Sequence, residues 1–160
     1  MRHVLIAVIG AASCSPSEAK AAEVVGKVLA EGGATVLCGG HGGVMEAACR
    51  GARLAGGLTV GILPGDDPST ANPYVDVAIA TGLGEARNAV VARTAQAVVA
   101  IGGRYGTLSE IAFALKRGLP VVGVNTWRLA PPGASGSSPI ITIDDPVEAA
   151  RRALALARGV

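Results

Sequence analysis

Short apolar runs recur along the chain, each closed by a small or polar turn and followed by a segment whose apolar residues return every three or four places. VLIAVIG, TVLC, TVGIL, AVVAI and VVGV are apolar on both alternations, the mark of strands covered on two faces rather than one. This pattern predicts strands over His3–Ile9, Thr35–Cys38, Thr59–Leu63, Val75–Ala80, Ala97–Ile101, Val121–Val124 and Ile140–Ile143. The intervening periodicity predicts helices over Pro16–Glu31, Val44–Ala55, Ala86–Ala95, Leu108–Lys116 and Pro146–Arg158. Strand and helix alternate from end to end, which implies a doubly wound parallel α/β sheet of about seven strands with helices on both faces. At 160 residues the chain suits one domain spanning 1–160.

Helix starts share a grammar. Ser15-Pro16-Ser17-Glu18 and Asp145-Pro146-Val147-Glu148 each offer a cap, a proline in the first turn and a glutamate three places on. Thr107-Leu108-Ser109-Glu110 offers the same box without the proline, so Glu110 has a plain structural reading as a partner of the Thr107 amide. Two polar stretches, residues 65–73 and 130–139, are long for connections in such a fold and stand as candidate lids or ordinary surface loops.

Composition narrows the classes. Half the residues are hydrophobic but only 2% are aromatic, so the core must be built from Ala, Val, Leu and Ile. A net charge of +2 without a basic run gives no footprint for nucleic acid. Cys14, Cys38 and Cys49 form no CxxC and are odd in number, which fits reduced thiols in a cytoplasmic protein. VLIAVIG ahead of Cys14 resembles a lipoprotein signal, but its short β-branched run reads better as the first buried strand. No stretch approaches the roughly 20 apolar residues of a membrane span.

Candidate chemistry gathers in the turns after strands. In an open parallel sheet ligands bind outside the carboxyl ends of the strands. The turns there are GAASCSPS (10–17), GGHGG (39–43), TGLGEARN (81–88) and GGRYGT (102–107). GGHGG and GGRYGT lead straight into helices, and their bare amides and the helix dipole would attract an anion. GxGxxG and a Walker A loop are both missing, and His3 and His41 are too few and too scattered for a metal site. Arg87 falls on the packed face of its helix with Val90, Val91 and Thr94, aimed at the carboxyl edge, and Arg104 sits inside a Gly-rich turn where it could clamp a phosphate.

The ordered motifs TVLCGGHGGVMEAACRGARLAGGLTVGILPG, ANPYVDVAIATGLGEARNAVV and GGRYGTLSEIAFALKRGLPVVG resemble the molybdenum cofactor carrier-like branch of the Lonely Guy superfamily, over roughly Val4–Asn125. The resemblance implies a Rossmann-like fold, a homodimer or homotetramer, and a phosphate site. No resident cofactor is expected; the bound molecule would be a phosphorylated small molecule, a molybdenum cofactor, pterin phosphate or nucleoside monophosphate. The residues expected to meet it are Ser13, Gly39, Gly40, His41, Gly42, Gly43 and Met45 on the first side. On the second they are Arg87, Asn88, Gly102, Gly103, Arg104, Gly106 and Thr107. Cytokinin-activating members carry PGGxGTxxE and an Arg-Lys pair, which map catalytic roles onto Glu110 and Arg87 for hydrolysis of an N-glycosidic bond in a nucleoside 5′-monophosphate. This chain departs from them with Gly102 for the proline, Arg104 for the second glycine of the motif, and Asn88 for the lysine. The frequent lysine decarboxylase label fails, because Lys20, Lys27 and Lys116 all lie in the middle or far end of helices, away from the candidate edge.

Overall fold

The computed structural model describes residues 3–160. Seven parallel strands form one sheet in the order β4-β3-β2-β1-β5-β6-β7. They span Val4–Gly10 (β1), Ala34–Cys38 (β2), Thr59–Leu63 (β3), Val77–Ala80 (β4), Ala97–Ile101 (β5), Val121–Val124 (β6) and Ile141–Thr142 (β7). The helices are Pro16–Glu31 (α1), Val44–Leu54 (α2), Arg87–Thr94 (α3), Tyr105–Lys116 (α4) and Pro146–Arg158 (α5).

Alternate residues of the central strands feed two cores. Ile6, Val8, Val36 and Val99 pack under α1, α2 and α5, while Ala7, Ile9, Leu37 and Val98 pack under α3 and α4. With no aromatic residue in either buried cluster, helices must come close to fill the space. Gly26 of α1 and Gly51 of α2 permit this: a Cβ on either would lie 2.0 Å from a carbonyl oxygen of the facing helix, that of Ala48 or Glu23.

The chain winds outward from β1 through β2 and β3 to β4, then returns to place β5 on the other side of β1. The strand order therefore reverses between β1 and β5, and the turns leaving those two strands diverge to open a crevice there. β1 is a central strand, so the apolar run before Cys14 belongs to the heart of the sheet.

Most elements match the sequence expectation to within a residue at each end, and the differences at β4, β7 and α4 bear on the site or the sheet edge. Strand β4 begins at Val77 rather than Val75, because the Asp76 carboxylate takes the Thr59 amide at 3.0 Å and ends the ladder with a side chain. Strand β7 is shorter at both ends than Ile140–Ile143. Helix α4 begins at Tyr105 rather than Leu108, a full turn early, so Thr107 lies inside the first turn and Arg104 is the cap residue. The capping box at Ser15 and Glu18 forms in full.

The long 65–73 connection is tied down. Asp67 caps a short 3-10 turn at Pro68–Thr70, and Asn72 donates through its backbone to Gly40 O and through its side chain to His41 O, both at 2.8 Å. It acts as a strut for the 39–43 turn. Residues 130–138, by contrast, are almost wholly exposed.

Candidate functional site

A cleft of about 300 Å³ opens at the reversal point between β1 and β5. Its floor on one side is the β1–α1 turn, Gly10 to Ser13, with Met45 from α2. On the other side stand Arg87 and Asn88 of α3, and Arg104, Gly106, Thr107 and Glu110 from the start of α4.

Helix α4 enters the cleft without a side-chain cap. Gly102 and Gly103 make the reversal into it with φ of +52° and +98°, conformations that side chains resist. Proline at Gly102 is ruled out by its fixed negative φ, so this turn differs in backbone from any loop beginning with that residue. The carbonyls of the turn are taken: Thr126 Oγ1 donates to Gly102 O, and the Trp127 indole N–H to Arg104 O at 3.2 Å. Among the first-turn amides, those of Gly106 and Thr107 lie in residues that line the cleft, and such amides lack partners within their own helix.

Glu110 does not close a capping box. It is buried to 8% exposure and lines the cleft, and burial pushes its carboxyl up to about 7, opposed only in part by the charge of Arg87. The two side chains form no ion pair within 4.0 Å among the described residues. A carboxyl poised near neutrality and facing a cavity can hold or release a proton at physiological pH.

Arg87 is locked from behind. One guanidinium nitrogen donates to Gly39 O at the end of β2 and, at 2.9 Å, to Ile62 O in β3, while its buried Nε has no partner. Burial lowers its pKa, with Glu110 and Cys38 opposing. The result is a fixed cation with unused donor capacity. Asn88, one residue on, donates to Ser109 Oγ at 3.1 Å and so ties α3 to α4.

The 39–43 turn is packed differently from the 102–107 turn. Gly39, Gly40, His41, Gly42 and Gly43 do not line the cleft. A Cβ on Gly39 would strike the Arg87 guanidinium at 2.5 Å, one on Gly40 would strike Leu63 at 2.6 Å, and one on Gly43 would meet Ala11 O at 2.2 Å. These glycines are bare because the protein's own groups approach them. The first amide of α2, Val44 N–H, is likewise satisfied by Ala11 O at 3.1 Å. His41 has its pKa lowered by burial and by Arg87, so it is a poor cation for an anion. Gly102 and Gly103 line adjoining depressions beside Glu18 rather than this cleft. Sequence reasoning placed the 10–17 turn at this edge but picked only Ser13 from it; the reversal of strand order at β1 and β5 brings Gly10, Ala11 and Ala12 into the lining as well. Lys20 and Lys27 lie on α1 and Lys116 at the end of α4, and none lines the cleft.

Comparison with known proteins gives a consistent picture. Residues 3–150 match the family described as the SLOG cluster4 family. The Moco carrier protein from Chlamydomonas reinhardtii is 34% identical, with a TM-score of 0.85 over 99% of this chain and 100% of its own. The molybdenum cofactor binding protein from the phototrophic bacterium Rippkaea orientalis is 42% identical, with a TM-score of 0.76 over 79% of this chain and 78% of its own. An uncharacterised protein of Archaeoglobus fulgidus is 44% identical over 124 residues, 78% of this chain and 82% of its own.

Proposed function

Because the chain belongs to the SLOG cluster4 family, with structural relatives that are molybdenum cofactor carriers, we propose that it binds and carries a phosphorylated small molecule, a molybdenum cofactor or a related pterin or nucleotide phosphate. The observation that carries this reading is the uncapped start of α4 facing a cleft at the strand-order reversal. The phosphate would sit on the Gly106 and Thr107 amides, where the helix dipole contributes roughly half a positive charge. Arg104 at the rim would close on two of its oxygens. Arg87, held by two strand-end carbonyls, would neutralise remaining charge without moving. The cargo is bound, not transformed, so no resident cofactor is required. Free thiols at Cys14, Cys38 and Cys49 support a reducing, cytoplasmic setting, and a homodimer or homotetramer with one domain per chain is part of this reading.

A second reading is favoured by one observation: Glu110 has its carboxyl near 7, turned to the cleft beside Arg87. That is the protonation behaviour expected of a general acid–base group in hydrolysis of an N-glycosidic bond, water adding at the sugar carbon and the base leaving with a proton. Gly102, Arg104 and Asn88, which stand where the hydrolases carry other residues, weigh against it.

Both readings are separated by one set of measurements. The purified chain should retain molybdenum cofactor through gel filtration, read as pterin fluorescence after oxidation, and Arg104→Ala should reduce retention at least tenfold. Incubation with a panel of nucleoside 5′-monophosphates should release no free base. Base release that Glu110→Gln abolishes would overturn the pure carrier reading in favour of the hydrolase.

A further inference from the structure

The chain has four aromatic residues, one Trp, two Tyr and one Phe. Two of them, Tyr105 and Phe113, stand on the outer side of α4 near the cleft, and Trp127, packed in part against the core under α3 and α4, adjoins Tyr105. Tyr105 is 80% exposed and Phe113 40% exposed, and the Tyr105 ring centroid lies 5.8 Å from that of Trp127. Tyr105 and Phe113 line a groove of about 440 Å³ together with Glu85, Asn88 and Ser109. This groove and the cleft share Asn88 and Gly106, so one molecule can occupy both. Tyr105, at the first position of its helix, keeps most of its surface exposed although its ring tilts against Trp127. Its flat face beside an anion-binding helix start suits a planar ring.

The polar groups of the groove select among rings. A carboxylate only accepts hydrogen bonds, and its two oxygens match a pair of adjacent N–H donors. The 2-amino-4-oxopyrimidine edge of guanine or pterin presents such a pair, the ring N–H and the amino group. Adenine presents a bare ring nitrogen there, whose lone pair a carboxylate repels. The Asn88 amide donates to Ser109 Oγ, which in turn donates to Gly106 O at 2.6 Å, so its carbonyl oxygen remains as a fixed acceptor.

We propose that the groove is the ring subsite of the same ligand, with Tyr105 against the face of a guanine or pterin ring and Glu85 accepting its N–H donors, while the phosphate occupies the adjoining cleft. This rests on the phosphate-carrier reading and adds the ring class to it.

Trp127 is the single tryptophan of the chain, next to Tyr105, and its emission reports on the groove. Titrations with GMP, 6-hydroxymethylpterin phosphate, AMP and inorganic phosphate separate ring from anion and guanine from pterin. GMP or the pterin ester, or both, should bind at least tenfold tighter than AMP and quench Trp127, whereas inorganic phosphate should bind without quenching. Tyr105→Ala should weaken the preferred ester about tenfold, and Glu85→Gln should erase its advantage over AMP; neither should move the affinity for inorganic phosphate more than about twofold. Equal affinities for all esters, unchanged by both variants while Arg104→Ala still weakens phosphate, overturn the ring subsite and leave the carrier reading standing. Ring-dependent quenching with no competition from inorganic phosphate supports the subsite and overturns the anion cradle. A change in oligomeric mass on Phe113→Asp or Tyr105→Ala, with ester binding untouched, assigns the groove to a second copy of the chain and overturns the proposal.

Discussion

Glu110 and Arg87 carry the clearest consequences at the scale of single residues. Burial raises the Glu110 carboxyl from 4.5 to about 7, so the folded protein holds a proton that the unfolded chain releases. Stability from this group is full below pH 4.5 and is lost as pH rises through 7, a difference of about 3 kcal/mol. Glu110→Gln, which stays neutral, should therefore raise the melting temperature at pH 8 by several degrees and have little effect at pH 4.5; an equal change at both pH values would refute the raised carboxyl. Arg87→Met should leave the Gly39 and Ile62 carbonyls without their donor, costing about 1–3 kcal/mol in urea denaturation. Arg87 was legible in the sequence because helical spacing alone aims it at the carboxyl edge. Glu110 was ambiguous, since Thr107-Leu108-Ser109-Glu110 is also sound capping grammar; the earlier start of α4, allowed by two glycines at positive φ, decides between the two.

Element spacing follows from how few large side chains the core holds. The α1–α2 crossing depends on Gly26 and Gly51, each facing a carbonyl oxygen that a methyl group would meet at 2.0 Å. Gly26→Ala should lower stability by about 1–3 kcal/mol, against the small gain that Ala brings to an ordinary helix interior. A rise in the urea midpoint on that change would show that the helices do not touch there. The strands and helices themselves were legible because parallel strands buried on both faces read as unbroken apolar runs. The sequence assigned both bare turns to the ligand and could not show which of them the protein's own groups crowd. GGHGG and GGRYGT look alike as strings, but Leu63, Ala11 and Arg87 arrive against the first from distant parts of the chain, and no local pattern records them.

For the whole molecule, topology does the positioning. Reversal of strand order between β1 and β5 separates two turns, and the resulting crevice holds a fixed cation, an uncapped helix start and a proton-bearing carboxyl. The sequence shows the alternation that makes such a sheet but not its order, because pairing of β1 with β5 joins residues some ninety positions apart. Any ligand bound only by the folded state should stabilise it, by about 2.7 kcal/mol at a hundred times its dissociation constant, and thermal shift with a phosphate ester gives a first screen. The most direct measurement is a crystal structure of the chain with whichever of GMP and 6-hydroxymethylpterin phosphate it binds more tightly. The phosphate should lie about 3 Å from the Gly106 and Thr107 amides with Arg104 closing over it. A phosphate seated against the 39–43 turn, or a cleft left empty at saturating ester, would contradict that assignment.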